Sequence, residues 1–205
     1  MSSHKPRILI LTGPQGSGNH LFSKIFALHP RVFGWKQLNQ TYWIGHHDEP
    51  FARYWLDPTR LGEHDWSSHE YHVTSVSCPF IYQNESRYPD FDAFIECVKT
   101  YAEPEIAVIG RDRNILDSQQ RRVRGGVTME VSRFAFDECI HLSTELLYLY
   151  RRDYLRQLSR LLAWPIDFES AEVDNILAED PNRKYIQYVE HGPVDELVRK
   201  ACLES

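Results

Sequence analysis

Apolar and polar positions fall into blocks of two periods along this 205-residue chain. Ile8-Leu9-Ile10-Leu11 is a continuous apolar run, and the pattern predicts a strand buried on both faces. Leu21, Phe22, Ile25, Phe26 and Leu28 then recur at helical spacing. Tyr71 to Cys78 alternates, is rich in Val, Ser and Thr, and stops at Pro79, as a strand does. Phe91, Phe94, Ile95 and Val98 mark a helix between Phe91 and Tyr101, and Glu105 to Gly110 forms another apolar strand. From Met129 to Leu162 the periodicity predicts a long helical stretch, with Leu142, Leu146, Leu149 and Leu158 on related faces; Pro193 to Leu203 predicts a terminal helix. Strands alternating with helices imply an α/β three-layer sandwich, a central parallel sheet covered on both faces. With no internal repeat or low-complexity tract, one domain over residues 1–205 is the simplest partition.

Residues 34–72 break the pattern. They hold little periodicity but many rings, among them Trp35, Tyr42, Trp43, His46, His47, Trp55, His64, Trp66, His69 and His72. Long irregular segments inside a compact domain are usually functional. This one is expected to be an acceptor site or a lid.

Between the first strand and first helix lies Gly13-Pro14-Gln15-Gly16-Ser17-Gly18-Asn19-His20. Glycines let successive N–H groups point inward, and the helix start adds orphan donors and the positive end of its dipole. Such a turn is a socket for phosphate, a reading preferred here over a turn that binds nothing. The glycines fit the nucleotide-hydrolase pattern G-x-x-x-x-G-K-[ST], but Asn19 stands at the lysine and His20 at the magnesium hydroxyl. Asn brings no charge, and imidazole is a poor ligand for a hard cation. Magnesium-dependent hydrolysis of ATP is therefore disfavoured.

The phrase G-P-Q-G-S-G-N-H-L, followed by His29-Pro30-Arg31-Val32-Phe33-Gly34, resembles the 5′-phosphosulfate loop of sulfotransferases that use 3′-phosphoadenosine-5′-phosphosulfate (PAPS). A second block, the strand Glu105 to Gly110 followed by Arg111-Asp112-Arg113-Asn114-Ile115-Leu116-Asp117-Ser118, resembles the strand and helix that hold the 3′-phosphate in that family. The resemblance implies a P-loop-like nucleotide-binding, sulfotransferase-like fold with PAPS as cosubstrate and no metal. It places Gln15, Gly16, Ser17, Gly18, Asn19 and His20 on the phosphosulfate, and Arg111 and Ser118 on the 3′-phosphate. Three departures stand out. Gly16 replaces a common lysine or arginine, Arg113 replaces a proline, and Ser118 lies one residue closer to Arg111 than is usual. A thinner likeness, Leu162 to Ser170, suggests a late strand before a helix, with Trp164 and Phe168 as core residues.

The family's usual base positions hold no acid or histidine here: Gly34-Trp35-Lys36-Gln37 follows the H-P-x-V phrase, and Val76-Ser77-Cys78-Pro79 ends the next strand. Lys36 is the candidate for the charge lost at Gly16. His46 and His47, beside Asp48 and Glu49, are the candidates for a general base. Adjacent histidines without H-x-x-x-H or Cys/His spacing do not make a metal site.

Charge and cysteine usage narrow the classes. A formal net charge of −6 argues against a general nucleic-acid binder. Arg111, Arg113, Arg121, Arg122 and Arg124 form a local basic cluster that suits a small polyanion, although from Arg121 onward a solvated helix face is the preferred reading. Cys78, Cys97, Cys139 and Cys202 lack C-x-x-C spacing and are expected as free thiols in a reducing cytoplasm. No apolar run approaches membrane-spanning length, so no membrane partner is expected. Three functions remain open: a sulfotransferase acting on a carbohydrate or other small hydroxyl acceptor, a divergent kinase using Mg-ATP, and a nucleotide-binding relative without catalysis.

Overall fold

The computed structural model describes residues 5–35, 49–83, 85–123 and 138–178. In chain order the elements are β1 (Arg7–Gly13), α1 (Asn19–Phe26), β2 (Val32–Phe33), α2 (Ala52–Leu56), a 3₁₀ turn (Pro58–Glu63), β3 (Tyr71–Ser77) and a β4–β5 hairpin (Phe80–Tyr82, Glu85–Arg87). Then follow α3 (Phe91–Val98), β6 (Glu103–Gly110), α4 (Arg113–Val123), β7 (Ile140–Ser143), α5 (Thr144–Tyr150), α6 (Arg152–Leu161) and α7 (Ala171–Ala178). Five strands form one parallel sheet in the order β2-β3-β1-β6-β7.

Both faces of that sheet are covered, which explains the unbroken apolar run of β1. Leu9 and Leu11 face one cluster, with Phe22, Ile25 and Phe26 of α1, Leu147 of α5, Leu155 and Leu158 of α6, and Val173 and Ile176 of α7. Ile8 and Ile10 face the other, with Tyr54 and Trp55 of α2, Leu61 of the 3₁₀ turn, and Phe94 and Val98 of α3. Each such side chain contributes about 1.5–3 kcal/mol when fully buried. The α/β class and the central parallel sheet flanked by helices follow directly. Among the described residues, no helix is long and apolar enough to cross a membrane.

The long helix expected over Met129 to Leu162 is instead, from residue 138 onward, a strand and two helices; 129–137 lie outside the described residues. Leu142 is buried in β7, opposite Ile109 of β6, whereas Leu146 and Leu149 are exposed on α5. The Ser143 hydroxyl caps α5 by accepting from the Leu146 N–H at 3.2 Å, and Arg151 at φ 46° separates α5 from α6. The strand expected within Leu162 to Ser170 is also absent. Arg7 takes the carbonyls of Leu162 and Ala163, both at 2.8 Å, so they are claimed by a guanidinium rather than a ladder. Trp164 is nevertheless core, and Phe168 packs against it half-buried. The helix expected over Pro193 to Leu203 lies outside the described residues.

The described part of the 34–72 region, from residue 49, packs as a layer on the Ile8/Ile10 face. Trp55 stacks on Phe94 with ring centroids 3.7 Å apart. His64 Nε2 and His72 Nδ1 share a hydrogen bond at 3.1 Å among Phe33, Phe51 and Trp66, and His72 Nε2 bonds the His69 carbonyl at 3.0 Å. Both imidazoles are pushed down to about 4, chiefly by burial; at His64 Asp65 opposes the shift, and Arg53 and His69 add to it.

A neutral buried histidine makes stability pH-dependent. The unfolded chain takes up a proton near the ordinary value of 6.5, whereas folded His72 does so only near 4. Stability is thus complete above about pH 6.5 and falls as pH drops toward 4, by roughly 3 kcal/mol for His72 alone. Urea unfolding followed between about pH 7 and pH 4.5 is expected to show this loss, and His72→Phe to reduce it while His64 keeps its own share.

Candidate functional site

In an open parallel sheet the ligand crevice lies where neighbouring strands send their connections in opposite directions. Here that point is between β1, whose chain continues toward β2, and β6, whose chain continues toward β7. The glycine turn leaves β1 and Arg111 leaves β6 at the same end of the sheet.

The turn is fixed from three sides. The Ser17 N–H donates to the Pro14 carbonyl at 3.0 Å, closing the loop on itself. The Gly13 carbonyl accepts from the Cys78 N–H at 3.0 Å and from Asn19 Nδ2 at 3.3 Å, and that same amide donates to Ser77 Oγ at 3.0 Å. The Thr144 hydroxyl, at the start of α5, donates to the Ser17 carbonyl. Gly16 and Gly18 sit at φ 91° and 114°, a region that L side chains rarely adopt. A Cβ on Gly16 would run into the Gln119 carboxamide. A side chain at position 16 would therefore be strained by its φ, and the end of the flexible Gln119 side chain would have to move aside for it.

Helix α1 starts from Gly18 with no side-chain cap, so its first turn presents backbone donors and a positive dipole end. Asn19, in the place of a lysine, ties the turn to the end of β3. His20, in the place of the magnesium hydroxyl, lies 2.9 Å from Glu49 Oε1 and against the Trp35 ring at 4.8 Å. Ser17 Oγ is buried and 3.4 Å from Asn19 Oδ1. Gln15 is buried as well.

Arg111 adds the charge. Its side chain is wholly buried, and Nη1 donates to the Gly16 carbonyl at 3.0 Å. Nε and Nη2 have no hydrogen-bond partner among the described residues. Among the described residues the nearest carboxylate to Nε is Glu145 at 3.9 Å, beyond hydrogen-bond length, and its oxygen already accepts from the Asp112 N–H at 3.0 Å. A buried cation with unmet donors costs several kcal/mol unless an anion offsets it. Arg113, by contrast, is exposed beside Asp117 at 3.8 Å.

The structure thus brings Gln15, Gly16, Ser17, Gly18, Asn19, His20 and Arg111 together at one strand end. Ser118 falls within α4, but its side chain lies outside the described part, as do Lys36, His46 and His47 entirely. Gln119, Thr144 and Glu145 were not legible as site residues, and Glu49 stood out only as a neighbour of His46 and His47. Gln119 carried one weak signal, its helical spacing from Ile115, which is buried on the same helix. Beyond Glu49, a cleft of about 10 Å³, room for one water, opens between α2 and β3–β4, lined by Trp55, Ser75, Phe80 and Tyr82. Among the described residues no three His, Cys, Asp or Glu side chains converge to hold a metal ion. Comparison with protein-family models and with curated proteins finds no match.

Gly18→Ala tests the turn as a built feature. Its Cβ would lie 2.8 Å from Thr144 Oγ1 at a left-handed φ. Thermal unfolding is expected to show a loss of about 1–3 kcal/mol. A variant as stable as the parent would mean that the turn relaxes freely.

Proposed function

We propose that the protein is a PAPS-dependent sulfotransferase that moves a sulfuryl group to a hydroxyl acceptor, a carbohydrate or another small molecule. The observation that carries this reading is the buried Arg111 guanidinium, with two unmet donors, beside an uncapped helix start. That socket receives its positive charge from the protein. An arginine there stabilises charge on the leaving group directly, as fixed donors do, which supports a reading without magnesium. Asn19 and His20, already bonded to Ser77 and Glu49, disfavour the Mg-ATP kinase reading further. In this proposal residues 15–20 cradle the phosphosulfate, PAPS is the cosubstrate, and His46 or His47 accepts the acceptor proton. The sequence resemblance supplies the choice of a sulfuryl over a phosphoryl group.

Calorimetry with adenosine 3′,5′-bisphosphate and with ATP, each with and without magnesium, tests the ligand class. The bisphosphate is expected to bind independently of magnesium. Binding of ATP alone, and only with magnesium, would overturn the proposal in favour of a kinase. Transfer of ³⁵S from labelled PAPS to a panel of sugars and phenols tests catalysis. Joint His46→Ala and His47→Ala replacement is expected to slow it about a hundredfold or more. Tight binding without turnover across the panel would favour a relative that binds nucleotide and does no chemistry.

A further inference from the structure

We infer that the Gln119 carboxamide is a ligand-contacting group of the glycine turn, giving the 5′-linked anion a neutral donor from the place where position 16 would project a side chain. The inference rests on the proposed nucleotide site and adds a residue that the resemblance does not assign. The 3′-phosphate stays with Arg111 and Ser118, as the resemblance implies. A Cβ built on Gly16 would fall 1.8 Å from Gln119 Oε1 and 2.8 Å from its Nε2. The carboxamide thus lies against the Gly16 backbone, at the start of the path a side chain there would take. Gln119 is only 6% exposed, whereas glutamines are mostly found in solvent. It extends from α4, which follows β6, to the turn that follows β1. Gln119 therefore spans the gap between β1 and β6, the crevice in which strand order places a ligand.

The chemistry of the turn gives such a group a use. Residues 13–20 contain no Lys or Arg. In the resembled family position 16 commonly sends a basic side chain to the phosphosulfate; here it is glycine at φ 91°, and the carboxamide from α4 fills the space. A carboxamide carries two N–H donors and an acceptor oxygen, and rotation about its last bond decides which faces the turn. With Nε2 inward it adds a side-chain donor to the backbone N–H groups at the uncapped start of α1. A hydrogen bond from that donor to an anion is charge-assisted through the acceptor alone. The group itself carries no charge that must be buried when the site is empty.

Calorimetry of AMP, adenosine 3′,5′-bisphosphate and adenosine 3′-monophosphate against the full-length protein and its near-isosteric Gln119→Glu variant tests the contact. The carboxylate is expected to weaken AMP and the bisphosphate by about tenfold to a hundredfold, and to leave the 3′-monophosphate nearly unchanged. Parental affinity for AMP, or an equal loss for the 3′-monophosphate, would overturn the inference and leave the proposed function standing. Failure of the unmodified protein to bind the bisphosphate would remove the proposed function, and this inference with it. Gln119→Met keeps the volume and removes the hydrogen bond, so it separates contact from packing even where the buried carboxylate disturbs folding. It is expected to cost AMP about tenfold at an unchanged thermal unfolding midpoint. A residue that only packs on Gly16 would show no such loss. Gln119→Lys is the variant of opposite sign, since it brings a cation to the turn without a side chain at position 16. It is expected to tighten AMP and the bisphosphate several-fold, and unchanged or weaker binding would count against the contact.

Discussion

Parallel pairing of β1 with β3 on one edge and β6 on the other is the constraint on which the site depends. β1 is fully engaged along its length, from Arg7 opposite Tyr71 and Glu103 to Thr12 opposite Val76 and Val108. Its exit is therefore fixed relative to the exits of both neighbours. The Gly13 carbonyl is then within reach of the Cys78 N–H just past β3, and the Gly16 carbonyl within reach of Arg111 just past β6. The two contacts act as a clamp. One stops the turn from lifting off the sheet, and the other places a guanidinium against it. A slip in the register of β6 by one residue would turn its side chains to the opposite face and move Arg111 off Gly16.

The same dependence explains what could be read in the chain. The glycine turn, α1, β3, α3 and β6 were legible because their signals are local: an apolar run with a defined period, bounded by Gly or Pro. Residues 140–162 misled for the opposite reason. Leu142, Leu146, Leu149 and Leu158 are spaced as on one helix, yet Leu142 completes the sheet edge against β6 and Leu149 faces water. What decides between strand and helix there is a partner about thirty residues earlier, and periodicity does not carry that information. Thr144 and Gln119 escaped for the same cause. Each touches the turn only because α5 and α4 start from strands that the sheet has already placed.

The histidines show how a compositional impression can divide into separate physical roles. His64 and His72 belong to an aromatic layer beneath the sheet, where burial keeps them neutral and their bonds are to each other and to backbone. His20 belongs to the first turn of α1 and answers to Glu49. Among the described histidines, His64 and His72 lie in a packing layer, and His20 forms a separate pair with Glu49 beside the glycine turn.

Charge is handled locally in an acidic chain. At a net charge of −6 the long-range field repels anions, and salt screens that field within about 10 Å at moderate ionic strength. An anion site survives in such a molecule when its cation is taken out of water, because the interaction strengthens as the surrounding dielectric falls. Arg111 meets that condition: its side chain is wholly buried, while Arg113 two residues on is exposed and paired with Asp117. Burial without a ligand is costly, and the cost is only partly offset by the Gly16 carbonyl and by Glu145 at a distance. Among the described residues, Arg111 Nε and Nη2 are thus left without a hydrogen-bond partner where strand order, an uncapped helix start and two left-handed glycines converge. Under the proposed function, an anion with two oxygens on one face, as phosphate and sulfonate have, would meet both donors at once.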